Sequence, residues 1–190
     1  MSKPAFSFEF FPAKTEQGHE KLLSTYDELN KLSPAYFSVT YGAGGSTRSR
    51  TLDIVQALSA RGTTEIAPHM SCIGDDKSEI AELLEYYKTL GIRRLVALRG
   101  DLPSGQVGMG ELPFAVDLVK YIREHSGDHF HIEVASYPEM HPQARSFEFD
   151  IDNLVNKYQA GANASITQFF YNADSYLYLR DKLEKRGIDT

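Results

Sequence analysis

Six short apolar runs alternate with six segments of helical period, and a polar residue lies near the end of each run. The runs are approximately residues 6–11, 36–41, 65–72, 94–99, 130–136 and 165–171, and the last helix is expected at about 173–186. A strand followed by a helix, repeated along a chain, predicts a parallel sheet. The polar residues are separated by 31, 29, 30, 38 and 31 positions, and they are Glu9, Thr40, His69, Arg99, Tyr137 and Gln168.

The even spacing of these polar residues favours a closed barrel over an open doubly wound sheet. In a (β/α)₈ barrel every βα loop contributes to one site at the C-terminal ends of the strands, whereas an open sheet concentrates its site at one switch point. We therefore predict the α/β class and a TIM barrel, of which this chain supplies about the first six βα units. It is expected to form one domain over residues 1–190 that lacks the last two units.

The alternation of side chains along each strand predicts which residues face the inside of the barrel. Small residues lie two positions before the first five polar ones, and a cavity is expected above them. These small residues are Ser7, Ser38, Ala67, Ala97 and Ala135. The opposite set is expected to face the helices, and it consists of Phe6, Phe8, Phe10, Phe37, Val39, Ile66, Val96, Leu98, Ile132 and Val134.

Charge and composition exclude several classes of partner. The net charge of −6 and the absence of a basic stripe argue against nucleic acid and anionic membranes as partners. No apolar run approaches the roughly 20 residues of a membrane span, and no signal peptide is evident, so a cytoplasmic location is expected. Cys72 is the single cysteine and is expected in the core. His129 and His131 lack further ligands, so no metal site is assigned.

Glu9 is the one ionisable residue in an aromatic run, SFEFFP, at residues 7–12. An isolated carboxylate in an apolar strand costs several kcal/mol to ionise, so it must be protonated, partnered or placed at a strand end for chemistry. The sequence leaves these three alternatives open and makes Glu9 the first candidate for an active-site residue.

Six segments, in order along the whole chain, resemble signature motifs of the bacterial methylenetetrahydrofolate reductase family. They are residues 7–12 (SFEFFP), 39–43 (VTYGA), 67–69 (APH), 97–101 (ALRGD), 136–142 (SYPEMHP) and 166–170 (ITQFF). The resemblance implies a flavoprotein barrel that binds FAD non-covalently and reduces 5,10-methylenetetrahydrofolate to 5-methyltetrahydrofolate with NADH or NADPH. It also implies a ping-pong cycle, a place in methionine synthesis and a homo-oligomer.

The resemblance assigns catalytic roles to Glu9 and Asp101. Glu9 matches the family's general acid, for which a raised pKa is expected; pairing with an arginine or lysine is the alternative. Asp101 matches an aspartate beside flavin and folate, with loop capping as its alternative. Substrate binding is implied for Asp101, Gln168 and Thr40, and Gln168 is otherwise a buried structural amide.

FAD binding is implied for a larger set of matched positions. Arg99 and Lys157 are expected at the pyrophosphate and Asp150 at ribose or adenine; His69 and His141 are otherwise packing or surface residues. The full set is Thr40, Tyr41, Ala43, His69, Leu98, Arg99, Gly100, Asp101, Ala115, Tyr137, His141, Ala144, Asp150, Asn153 and Lys157. The rival interpretations are a non-catalytic truncated barrel that serves as a subunit or flavin-binding module, and a barrel flavoprotein acting on another iminium or enone.

Overall fold

Strands and helices alternate in the computed structural model, which describes residues 5–41, 45–101 and 110–189, with the side chains of residues 45–47 left out. The predicted βα repeat is confirmed, and most boundaries shift by one to three residues. The elements are β1 (Phe8–Phe10), α1 (Glu16–Asn30), β2 (Tyr36–Val39), α2 (Gly45–Ser59), β3 (Glu65–Ser71), α3 (Lys77–Thr89), β4 (Arg94–Leu98), α4 (Ala115–Ser126), β5 (His131–Ser136), α5 (Phe147–Gln159), β6 (Ala164–Thr167) and α6 (Ala173–Glu184).

The six strands form one parallel sheet in the order β1-β2-β3-β4-β5-β6. A doubly wound sheet reverses its strand order at a switch point, whereas a barrel wall adds each new strand beside the previous one. The sequential order confirms the barrel interpretation, and the six strands make a curled half-barrel. We call the C-terminal ends of its strands the upper end and the N-terminal ends the lower end.

Four of the described helices, α1, α3, α5 and α6, begin after residues whose side chains accept hydrogen bonds from the first turn. Asp76 forms a capping box with Glu79 at the start of α3, and Ser146 caps α5. The apolar residues of α3 recur with helical period along one face, and Leu84 and Tyr87 on that face are fully enclosed. Local capping and periodicity therefore direct each helix onto the outer face of the sheet.

The core lies between the outer face of the sheet and the helices. Phe37 is fully buried, and its ring stacks on Phe10 with centroids 5.5 Å apart. Val55 and Leu58 of α2 are also fully buried in this core. Cys72 lies there as predicted, and burial raises the pKa of its thiol to about 12.

The predicted alternation is wrong for β4. Ala97 pairs with Met70 and lies in the core with it, so Ala97 faces the helices. Val96 pairs with His69, and Leu98 with Ser71, on the inside of the half-barrel. The prediction counted back by twos from the polar residue Arg99. Leu98, the last residue of β4, faces the inside, however, so Arg99 follows it out of phase with the inward set.

Four residues from four strands fill the inside of the half-barrel at its lower end. Arg94 donates from Nε to Glu65 Oε2 at 2.8 Å and from Nη1 to Glu133 Oε1 at 2.6 Å. The Tyr36 hydroxyl donates to Glu133 Oε2 at 3.0 Å, and its ring centroid lies 4.7 Å from the Arg94 guanidinium. We call Tyr36, Glu65, Arg94 and Glu133 the lower-end network.

Among the helices of the described residues, none is long and apolar enough to cross a membrane.

Candidate active site

The six polar residues at the ends of the predicted strands all lie at the upper end of the half-barrel. Glu9 is within β1 and His69 is within β3. The remaining four follow the last residues of β2, β4, β5 and β6 by one position each, and they are Thr40, Arg99, Tyr137 and Gln168. Parallel strands bring these positions to one end of the sheet, although each side chain has its own surroundings.

Glu9 and His69 meet across β2. Glu9 pairs with Ser38, and Ser38 pairs with Ala67, two residues before His69 on the same face. Glu9 Oε2 lies 3.3 Å from His69 Nε2. The Glu9 side chain is 46% exposed and the His69 side chain 10%. A half-exposed carboxylate therefore rests against a buried imidazole on the inner face.

The pKa of Glu9 is lowered, which is the opposite of the expectation. The hydrogen-bonding attraction of His69 is the largest cause, and burial, which raises the pKa of Glu9, does not overcome it. The charge of His69 and a hydrogen bond from Ser38 lower the pKa further. The sequence suggested burial among phenylalanines, but β1 is an edge strand whose inner face is open. Glu9 is thus partnered, by a histidine rather than by arginine or lysine.

His69 Nε2 is buried and makes no hydrogen bond of good geometry. The 3.3 Å approach to Glu9 Oε2 is a close electrostatic contact rather than a well-formed hydrogen bond. Buried polar atoms are almost always hydrogen-bonded, so an exception at the open end of a half-barrel points to a functional role. His69 is neither a surface residue nor a satisfied packing residue.

Thr40 and Tyr41 follow β2 and connect it to neighbouring elements. The Thr40 carbonyl accepts a hydrogen bond from Thr51 Oγ1 at 3.1 Å, which ties the end of β2 to α2. The Tyr41 hydroxyl donates to Asp75 Oδ2 at 3.5 Å, and burial raises the pKa of Tyr41 to about 12. Ala43, predicted as a cofactor residue, lies outside the described residues.

The turn after β4 is tight and requires a glycine. Gly100 has φ +82°, and a Cβ there would lie 1.9 Å from Ser71 Oγ. Ser71 Oγ donates to the Arg99 carbonyl at 2.8 Å, which locks the ends of β3 and β4 together. Arg99 donates from Nη2 to Gln143 Oε1 at 2.9 Å, so its guanidinium reaches the loop after β5. Leu98 lies just below it on the inner face.

Tyr137, His141 and Asp150 form one cluster after β5. The Tyr137 and His141 rings meet edge to face, with centroids 4.5 Å apart. His141 donates from its backbone N–H to Asp150 Oδ2 at 2.8 Å, and His141 Nδ1 accepts from the Gln143 N–H at 3.0 Å. Burial, followed by the charge of Asp150, raises the pKa of Tyr137. The structure thus brings three predicted cofactor residues together.

Lys157 lies on α5 behind β5, beside a cavity of about 10 Å³ that it shares with Tyr137 and Asp150. Its ammonium donates to the Ala135 carbonyl at 2.6 Å, and burial lowers the pKa of Lys157 to about 8. This cavity holds about one water molecule. We expected the Lys157 ammonium to contact a pyrophosphate. In the structure it is directed at a backbone carbonyl within the fold.

The remaining predicted residues share no contact network of this kind. Asp101 and Gln168 are exposed, and the side-chain Oε1 of Gln168 accepts from the Phe169 N–H at 2.9 Å. The alternative of a buried structural amide is therefore wrong for Gln168. The charge of Asp101 contributes to the raised pKa of Tyr137. The other predicted cofactor residues lie on or just before helices. Asn153 is exposed, and Ala115 and Ala144 are half-buried.

Sequence reasoning missed three polar residues at the upper end, namely Asp75, Gln143 and Ser71. Asp75 contacts Tyr41, Gln143 holds Arg99, and Ser71 binds the Arg99 carbonyl. Asp75 and Gln143 lie in βα loops, a position that alone could have indicated them. Within the described parts of the chain, no group of three or more metal-ligating side chains is close enough to hold an ion.

Comparisons with known proteins identify the family of this chain. A family model described as methylenetetrahydrofolate reductase matches residues 1–190. The 5,10-methylenetetrahydrofolate reductase of Pectobacterium carotovorum subsp. carotovorum is 46% identical over 183 residues, and that of Escherichia coli strain K12 is 45% identical. Each match covers 96% of this chain and 60% of the relative, so the chain spans about three fifths of their length.

A solved structure supports the fold. It is an uncharacterized protein from Clostridium thermocellum that binds two copies of 5-methyl-5,6,7,8-tetrahydrofolic acid, and it superposes with a TM-score of 0.63. The sequence identity is 14%, and the match covers 98% of this chain and 62% of that one. At this identity the likeness shows the fold alone.

Proposed function

The chain belongs to the methylenetetrahydrofolate reductase family, and we propose that it carries the flavin- and folate-binding end of a barrel that reduces 5,10-methylenetetrahydrofolate to 5-methyltetrahydrofolate. The observation that carries this proposal is the contact of Glu9 with His69 on the inner face at the upper end. This contact places an acid–base pair where barrel enzymes build their sites.

Glu9 is proposed as the general acid that protonates the folate nitrogen released when the five-membered ring opens. In the ligand-free chain the lowered pKa of Glu9 favours the carboxylate. A flat ligand lying over the half-exposed side chain would remove water from it, and desolvation raises the pKa of a carboxyl group. The proton would then be taken up as substrate covers the site and donated as the ring opens.

The residues present fit FAD by the chemistry of their donor groups. FAD, when bound, supplies hydride transfer between the nicotinamide nucleotide and the folate. Thr40 offers a hydroxyl, Arg99 a guanidinium suited to pyrophosphate, and Leu98 an apolar inner surface. Asp101 is proposed to stabilise positive charge on the opening folate, and Gln168, which is exposed, to bind the pterin edge.

We further propose that NADH or NADPH reduces the enzyme and leaves before folate binds at the same place, in a ping-pong cycle. One inner face would then serve both substrates in turn. The cytoplasmic location, the single-domain organisation and the homo-oligomeric state stay predictions.

A second candidate is a flavin-binding module that needs a partner to act. Apolar side chains exposed around β6 favour it, with Phe169 74% and Tyr171 90% exposed. β6 lies at one edge of the sheet and β1 at the other, so each edge can accept a further strand. On this second proposal the chain binds flavin but does not turn over folate by itself.

Absorption spectroscopy with FAD, followed by anaerobic NADH and then by a folate assay, separates these candidates. Bound flavin that bleaches with NADH, together with turnover of 5,10-methylenetetrahydrofolate, would support the enzyme. Bleaching without folate turnover would favour the module, and a folded chain that takes up no flavin would contradict both.

The Glu9→Gln variant tests the general acid. We expect folate reduction to fall by about 10²- to 10⁴-fold, because an amide cannot protonate the leaving nitrogen, while NADH oxidation with an artificial acceptor is retained. Glu20→Gln, the same substitution on the exposed surface of α1, is the matched control and should keep both activities. Loss of both activities in Glu9→Gln would contradict the assignment.

A further inference from the structure

His69 combines two properties that set it apart from the other residues predicted at the site. The residue is 8% exposed, and Nε2 is buried without a hydrogen bond of good geometry. This same atom is 3.3 Å from Glu9 Oε2. Among the described residues, the buried unpaired side-chain atoms other than His69 Nε2 are hydroxyl oxygens. The unpaired atom of His69 is thus a ring nitrogen, which can donate or accept a hydrogen bond according to the tautomer.

The His69 imidazole is held by its surroundings, whereas the Glu9 carboxylate is free to move. The backbone of His69 pairs with Val96 inside the sheet, so its ring position is set by β3 and β4. Glu9 lies on the edge strand β1, and half of its side chain is exposed. The groups that act on the Glu9 carboxyl are His69 from β3 and Ser38 from β2.

We propose that His69 is the positioning residue for Glu9: it holds the carboxyl at the upper end and exchanges one proton with it through Nε2. The proton leaves Nε2 of the imidazolium and bonds to Glu9 Oε2, which gives a neutral imidazole and a neutral carboxylic acid. No electron pair is lost or gained overall, and no other reactant is needed. This inference deepens the proposed function, because it names the group that supplies the proton of the general acid.

The proposal also changes the cofactor role predicted for His69. Nε2 is engaged with Glu9, so any contact of the ring with FAD has to use another ring atom. A general acid that is ionised between turnovers has to be protonated again in each turnover. A neighbouring group that can both hold and release a proton can supply it. Water reaches Glu9 but hardly reaches His69, so the pair can exchange a proton even when a ligand covers the carboxyl.

The direct test is a carbon NMR titration of the chain with its glutamate carboxyl carbons labelled, in which the Glu9 signal is assigned by its absence from Glu9→Gln. In His69→Gln the side-chain amide can still donate a hydrogen bond but cannot exchange a proton. We expect the titration midpoint of Glu9 to rise relative to the unsubstituted chain. An unchanged midpoint in a folded His69→Gln chain would overturn the proposal.

His125→Gln is the matched control, because His125 also faces a carboxylate, with Nε2 2.9 Å from Glu85 Oε1 on the α3–α4 surface. This variant should move the Glu85 signal and leave the Glu9 midpoint where it is. A shift of Glu9 in the control as large as in His69→Gln would show that the effect is not specific and would also overturn the proposal.

A measurement on the unsubstituted chain covers the case in which His69→Gln fails to fold. Two groups that exchange a proton titrate as a coupled pair, so the Glu9 signal should show a second inflection when the imidazole loses its proton. A single inflection would contradict the coupling. The titration needs neither flavin nor folate, so a chain without reductase activity would refute the proposed function and leave this result standing.

Discussion

The lower and upper ends of the half-barrel differ in the partners of their buried charged and polar groups. At the lower end Arg94 has two carboxylate partners within 2.8 Å, and Glu133 receives a further hydrogen bond from Tyr36. At the upper end the ammonium of Lys157 has a carbonyl partner, and His69 Nε2 has no hydrogen bond of good geometry. The charged groups of the lower-end network are paired with opposite charges, whereas the Lys157 ammonium has a carbonyl partner and His69 faces Glu9 without a well-formed hydrogen bond.

We expect this difference if the lower end serves stability and the upper end serves the proposed ligand binding. A buried ion pair with satisfied hydrogen bonds fixes the strands that contribute to it, and removing one partner is costly. Groups left short of partners destabilise the empty protein but are available to a substrate or cofactor, and strongly perturbed groups cluster at functional sites. Three substitutions, taken from the largest expected effect to the smallest, test this comparison.

Arg94→Met should lower the free energy of unfolding by about 3 kcal/mol, because it leaves the buried Glu133 carboxylate without its guanidinium partner. Urea denaturation measures this loss. Lys31→Met is the control, since it removes an exposed pair with Glu28 and should cost less than about 1 kcal/mol. An equal loss of unfolding free energy in both variants would mean that the lower-end network stabilises the fold no more than an exposed ion pair does.

Lys157→Met should raise the free energy of unfolding at pH 7, because the ammonium is buried with a carbonyl partner alone. The fall in the pKa of Lys157 from 10.5 to about 8 corresponds to about 3 kcal/mol. Loss of the hydrogen bond to Ala135 removes about 1 kcal/mol, which leaves a gain of about 2 kcal/mol.

The difference in unfolding free energy between the unsubstituted chain and Lys157→Met should change with pH in one direction. Below pH 8 both the folded and the unfolded chain hold the Lys157 proton, so the full penalty is present. Between about pH 8 and 10.5 the unfolded chain holds more protons, so the stability of the unsubstituted chain rises toward that of Lys157→Met. A constant difference across this range would contradict the pKa of about 8.

Gly100→Ala should destabilise the fold by about 2 kcal/mol, through a φ of +82° and overlap with Ser71. Gly91→Ala is the matched control, because Gly91 has φ +74° with nothing within 4 Å of the added Cβ, so it should cost about 1 kcal/mol. Thermal unfolding of the two variants isolates the close approach of β3 and β4. Equal melting temperatures would show that Ser71 moves aside without cost.

Much of the fold could be predicted because its signals are local. The helical period of α3 and the strand pattern at Phe37 each lie within a few residues, and Leu84, Tyr87 and Phe37 are buried as expected. The failure at β4 shows the limit of such signals. Arg94 begins that strand on the inner face because it pairs with Glu65 and Glu133, which lie 29 and 39 residues away.

The candidate site shows the same limit. The sequence indicated Glu9 and His69 separately, and the family motifs gave each a role, but their contact joins residues 60 positions apart. The expected rise in the pKa of Glu9 followed from its aromatic neighbours along the chain. The lowered pKa follows from a histidine two strands away and from the openness of an edge strand.

The sequence by itself determined the order of the strands and helices, the helix faces that pack on the sheet, and the family to which the chain belongs. Periodicity, capping and motif spacing encode these properties over short distances. The tertiary structure alone decided the inner face of β4, the lower-end network and the pairing of Glu9 with His69. Strand register and sheet curvature bring distant residues within a few ångströms of each other, and at that distance charge and burial set the chemistry.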